Sequence, residues 1–161
     1  MKTESLYADM TVSQNLIANS NQLLQNTVSR NMVSLHCLVD ELMTDLLPMA
    51  ISHRSFILND ISQELMISTD ENMLAYVLWN LLKSAISSTP HKCIRVEAIL
   101  TGGCTLIYVK DAGAYFYRTI SHGYRQVQFV AEKLGGSISI ATNKNNGTTI
   151  AFTIYNRPKA A

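Results

Sequence analysis

Three polar side chains, Tyr76, Asn80 and Ser84, recur at every fourth residue of one stretch. Beside them runs an apolar series: Met73, Leu74, Val77, Leu78, Leu81, Leu82, Ala85 and Ile86. On a helix, residues four apart stand one above another on a single face. If the apolar stripe is buried against a sheet, the polar column lies along its margin and offers a phenol, an amide and a hydroxyl to the edge of a pocket. The alternative is that Asn80 and Ser84 are solvated neighbours of a core face. Histidine chemistry is less concentrated. His36 falls within a second apolar-periodic segment, and His53, His91 and His122 fall in loops, the last of them close to Arg125. Cys37, Cys93 and Cys104 are odd in number and lack metal-type spacing, so they read as reduced thiols, two of them on strands.

The elements that must position these groups follow from periodicity. Val33, Cys37, Leu38, Leu42, Leu46 and Leu47 recur at helical spacing, with Pro48 ending that helix or closely following its end. Residues 55–61 (SFILNDI) read as a strand, with a short second one near residues 65–67. Ser68-Thr-Asp70 followed by Glu71 supplies capping and dipole-compatible residues for the helix that carries the polar column. After Pro90 come strands over residues 93–100 and 105–110, joined by the tight turn that Gly102-Gly103 permits. A helix from about Ser121 turns Val127, Val130, Ala131 and Leu134 inward and stops at Gly135-Gly136. A last hairpin pairs residues 136–140 with residues 148–154. Helices segregated from an antiparallel-rich sheet imply an α+β fold, a two-layer α/β sandwich.

Composition bounds the function. A chain of 161 residues with 47% hydrophobic content can bury one real core. The formal charge of +1 comes from mixed signs, with no basic stripe for nucleic acid and no basic amphipathic helix for a membrane surface. The N-terminus has no apolar signal core, and no apolar run approaches a membrane span, so a cytoplasmic protein is expected. Residues 1–31 differ in composition from the rest. They are rich in Asn, Gln and Ser, and Val12, Leu16, Leu23 and Val28 form a narrow stripe of helical spacing. That segment is expected to be a helix that packs on its own domain or joins two copies as a homodimer; residues 32–161 form the main domain.

Four ordered motifs carry a resemblance to a known family: Asn80-Leu-Leu-Lys-Ser84-Ala85, Asp111-Ala-Gly113-Ala-Tyr115, Ser121-His-Gly123-Tyr124 and Gly147-Thr148-Thr-Ile-Ala-Phe-Thr. Together, over roughly residues 33 to 156, they resemble the ATP-binding domain of bacterial sensor histidine kinases, a branch of the GHKL-type ATPases with the Bergerat-type fold. The resemblance implies a site for ATP and magnesium. Asn80 matches the first amide of the family's helix motif, and both it and Ser84, which replaces the second amide, fall at the phosphate and metal end. Magnesium demands near-octahedral oxygen ligation, and a serine hydroxyl reaches less far than an amide, so a water would have to bridge. Asp111 matches the carboxylate that accepts the adenine amino hydrogen, with Thr148 beside it and Gly113 where backbone approaches the base. Gly123 matches a glycine whose amide meets phosphate at a helix N-terminus.

The departures fall mostly at the phosphate end. Tyr115 and Ser121 stand where the family has glycines, and Met73 and Tyr76 where it more often has Arg and Gln. Nine residues, Ala114 to His122, separate Gly113 from Gly123, where active relatives carry a longer mobile lid. The resemblance therefore implies a degenerate kinase-type domain with weak or lost ATP binding. It would act as a regulatory or interaction module in two-component-like signalling, with a response regulator or a kinase as partner. Two alternatives stand beside it: a working kinase subunit that phosphorylates a partner protein, and a histidine phosphotransfer protein, for which His36 is the one candidate acceptor.

Overall fold

The computed structural model describes residues 27–88, 91–112, 124–143 and 147–156. Within them the chain forms β1 (Asn31–Ser34), α1 (Leu35–Ser52), β2 (Phe56–Asn59), β3 (Met66–Thr69), α2 (Glu71–Ser88), β4 (Cys93–Thr101), β5 (Cys104–Asp111), α3 (Tyr124–Lys133), β6 (Gly136–Asn143) and β7 (Gly147–Tyr155). Five strands make one mixed sheet in the order β2-β4-β5-β7-β6, in which only the β2–β4 pair is parallel; β1 and β3 form a separate antiparallel pair. The three helices pack on one face of the large sheet. The fold is the α+β, two-layer sandwich that the periodicities imply.

Asp70 starts α2. Its carboxylate accepts the Met73 amide at 3.1 Å, capping the helix, and its second oxygen accepts the Ser29 amide at 2.9 Å. One buried side chain thus ties the helix start to the incoming chain. From there α2 turns Met73, Leu74, Val77, Leu78, Leu82, Ala85 and Ile86 wholly out of solvent. They meet Ile94 and Val96 of β4, Ile107 and Val109 of β5, and Ile150 and Phe152 of β7 in a single core. Each large aliphatic side chain so buried contributes roughly 1.5–3 kcal/mol, which is why this helix was the most legible element.

Several expectations need correction. Val33 does not open the first long helix; it lies in β1, which pairs with β3 so that Val33 faces Ile67. Helix α1 begins only after Ser34, whose hydroxyl accepts the Cys37 amide. Pro48 lies inside α1 rather than at its end. It falls within the last turns on the exposed side, where one lost backbone bond is tolerable, and the helix continues to Ser52. There it ends in a Schellman motif, with Arg54 N–H bonded to Ile51 C=O and Ser55 N–H to Ala50 C=O. The strand expected over residues 55–61 is shorter, Phe56–Asn59, because the Asn59 side chain turns to the His36 carbonyl and the Asp40 carboxylate and accepts the Ile61 amide. Residues 27–30 have no regular structure and Asn31 begins a strand, so any N-terminal helix does not include them. The rest of that segment, and the homodimer contact expected of it, lie outside the described residues.

Candidate functional site

Strand register determines which residues share an end of the sheet. Lys110 pairs with Arg95, Asp111 with Thr148, and Asn143 with Gly147. The end of β5, the starts of β4 and β7 and the close of β6 therefore lie together. Helix α2 reaches the same end, because only residues 89–92 connect Ser88 to Cys93. Helix α3 closes at the opposite end, where Leu134-Gly135 leads into Gly136, so its N-terminus at Tyr124 points back toward Asp111. Asp111, Thr148, the last turns of α2 and the start of α3 are thus gathered by topology at one rim.

Alternation along β5 and β7 decides which side chains turn under the helices. Thr105, Ile107, Val109 and Asp111 form the inward set of β5, as Thr148, Ile150, Phe152 and Ile154 do of β7. Asp111 is 5% exposed and Thr148 1%, directly opposite each other on the face that meets α2. A carboxylate this far from water is tolerated only where it has partners; Asp111 has them within the protein, and they hold it in a fixed orientation.

Gly147, to which the sequence alone assigns no site role, shapes this corner. Its φ is +83°, and a β-carbon there would lie 2.0 Å from the Asp111 carbonyl oxygen and 2.6 Å from Ala112 Cα. The backbones of β5 and β7 therefore close to a distance that only glycine allows, and this contact holds Asp111 in register. The signal was present in the sequence as Gly147-Thr148 at a strand start, but it also reads as an ordinary turn glycine.

Helix α2 supplies the second wall. Asn80 and Ser84 are half-buried one turn apart, on the flank of the core stripe, as their spacing implies. Tyr76 departs from that column, since its ring is buried with the core, and burial pushes its phenol above the ordinary tyrosine range. The Asn80 amide nitrogen donates to the Tyr76 carbonyl at 2.8 Å, leaving the amide oxygen as the atom available to a ligand or cation. Lys83, the one cation on α2, holds its ammonium 4.6 Å from the centre of the Trp79 ring. This i, i+4 pair could have been read from the sequence and was not. The remaining expected site residues, Gly113 and Gly123, lie outside the described residues, as do Tyr115, Ser121 and His122. Among the described residues, no cluster of His, Cys, Asp and Glu could hold a metal ion.

His36 is employed structurally. Its Nδ1 lies 2.7 Å from the Ile61 carbonyl and its Nε2 3.2 Å from the Asp40 carboxylate, so both ring nitrogens are engaged between α1 and the segment after β2.

No protein-family sequence model and no curated protein sequence matches the chain. Solved structures do match. The fold is that of histidine-kinase catalytic (ATPase) domains. The Acinetobacter baumannii histidine kinase AdeS superposes with a TM-score of 0.76 at 13% identity, over 98% of this chain and 87% of that one. The catalytic domain of histidine kinase ThkA gives 0.71 at 17% identity, over 81% of this chain and 99% of that one. Full-length ShkA, in complex with AMPPNP, gives 0.75 at 20% identity, over 96% of this chain and 37% of that one. No helix among the described residues is long and apolar enough to cross a membrane.

Proposed function

We propose that this chain is a histidine-kinase-type nucleotide-binding domain that keeps the adenine end of its site and has lost most of its grip on phosphate and magnesium. It serves two-component-type signalling as a regulatory or interaction module. The observation that carries this reading is the corner formed by Asp111, Thr148 and Gly147: a buried, inward carboxylate positioned by a backbone contact that permits no side chain. A carboxylate held there supports the reading as the group that would accept a hydrogen bond from an exocyclic amine. The fold supports the class of ligand, since ShkA, of similar fold, is described in complex with AMPPNP.

The phosphate end is the weaker one. Ser84 replaces an amide, Met73 stands where the family more often has Arg, and nine residues stand where a lid would be. Phosphoryl transfer depends on positioning and on stabilising charge around the transferred group. Replacing one of the two amides at the metal end and shortening the lid together weaken much of what performs it. The partner proposed is a response regulator or a kinase, in keeping with a ThkA structure described in complex with the response regulator TrrA. His36 as a phosphoacceptor is disfavoured, because both ring nitrogens already have partners.

The reading of a working kinase subunit keeps one point in its favour, the available Asn80 amide oxygen as a metal ligand. Incubation with γ-labelled ATP, alone and with a response regulator, separates the two. We expect no label on either protein. Label that depends on magnesium and is abolished by Asp111→Asn would establish the kinase.

A further inference from the structure

Among the described residues, strand β6 is an edge strand with none of the usual protection. It runs 8 residues, Gly-Ser-Ile-Ser-Ile-Ala-Thr-Asn, in unbroken register with β7 and without charge, proline or bulge. No described strand pairs with its outer side. Edges of this kind usually carry charges, bulges or a cover, because their free amides and carbonyls template further pairing. Hydrogen-bond parity identifies the free groups. The Tyr155 amide donates to the Gly135 carbonyl, so the odd-numbered residues that follow bond to β7, and Gly136, Ile138, Ile140 and Thr142 present N–H and C=O outward.

We infer that this edge joins two copies of the chain through antiparallel pairing of β6 with itself about Ser139. An edge that meets its own copy brings identical charges together, and this one has none to bring. The register centred on Ser139 sets Ile138 against the partner's Ile140, so all outward-pointing groups from Gly136 to Thr142 find partners in about eight backbone hydrogen bonds. It also matches the faces. Ile138 is buried and Ile140 half-buried on the helix side, while Ser137, Ser139 and Ala141 are exposed and small on the other. Aliphatic meets aliphatic beneath the sheet, and small meets small above it.

Helix α3 meets this edge with a hydrogen bond at one point among the described residues. Tyr124 reaches the outward carbonyl of Ile138 with a long 3.4 Å contact, a weak stand-in for a strand donor. A foreign strand would fit the same backbone groups, but a neutral edge offers it no charge to read. The self-complementary register favours a second copy. This inference does not depend on the nucleotide reading.

Sedimentation velocity over a concentration series tests it with the full chain. Ser139 falls at the two-fold axis in a non-hydrogen-bonded pair, where facing side chains come closest. Ser139→Lys and Ser139→Glu each place like charges opposite one another, and each should weaken the dimer about tenfold. Mixing the two variants in equal amounts should restore it. Ser139→Thr is the neutral control and should dimerise as the parent does. Ser139 is exposed, and thermal melts confirm that the variants are folded. A parent chain that stays monomeric up to on the order of 0.5 mM overturns the proposal. So does a dimer indifferent to both charges, which must form elsewhere on the chain, or a mixture that stays monomeric.

Discussion

Replacing Gly147 by alanine measures how tightly the corner around Asp111 is built. Two costs combine. The backbone at Gly147 has φ +83°, a left-handed conformation that costs a residue with a β-carbon about 1–2 kcal/mol. The added methyl would also lie 2.0 Å from the Asp111 carbonyl oxygen and 2.6 Å from Ala112 Cα. Both are backbone atoms, so relief requires the ends of β5 and β7 to separate. Overpacking of that kind costs about 1–3 kcal/mol more. The sum, roughly 2–5 kcal/mol, is a large part of a total stability of about 5–15 kcal/mol. For a chain this long it corresponds to a fall in Tm of roughly 4–20 °C. Gly102→Ala is the matched control. Gly102 has φ +55° with nothing within 4 Å of an added β-carbon, so it should lose only the conformational part, about 1–2 kcal/mol. Urea unfolding of both variants, followed by circular dichroism, isolates the close approach as the difference between them. Equal losses would mean that the strands have room for a side chain at this corner and that no close approach exists there.

Three further outcomes follow from local structure. Asp70→Ala removes the cap of α2 together with the acceptor of the Ser29 amide, and should destabilise the fold by about 1–3 kcal/mol in urea titrations. Arg54→Gly should stabilise it by about 1 kcal/mol, because Arg54 sits at φ +52° at the Schellman position with its amide already bonded. Burial raises the phenols of Tyr76 and Tyr124 above their ordinary value of 10.0, so the folded state holds those protons more tightly than the unfolded chain. Their contribution is fully present below pH 10 and is lost as pH rises from there through the folded-state values; stability should fall in that window, and replacing both residues by Phe should flatten the fall.

The sequence was most legible where one period dominated. Helix α2 carries a wide apolar stripe, and its start was visible at Asp70 because capping chemistry is local. Strands β4 and β5 were visible because Gly102-Gly103 admits little but a tight turn. The first long helix was misjudged at both ends for tertiary reasons. Val33 fits a helical stripe as well as a strand, and only pairing with Ile67 decides between them. Pro48 breaks helices on average, but near an exposed end the cost is small. At the site, spacing placed Asn80 and Ser84 correctly on the flank of α2, while Tyr76, at the same spacing, turned into the core. The role of Gly147 is ambiguous in the sequence, where it also reads as a turn glycine, because its constraint comes from a strand more than thirty residues away.

On the proposed reading, the domain retains an adenine site while the phosphate end contributes little. Titration calorimetry of the full chain with adenosine, and separately with ATP and magnesium, tests it most directly. Both should bind weakly, within a few-fold of each other, and both should be lost on Asp111→Asn. A magnesium-dependent ATP affinity several orders of magnitude above that of adenosine would contradict it.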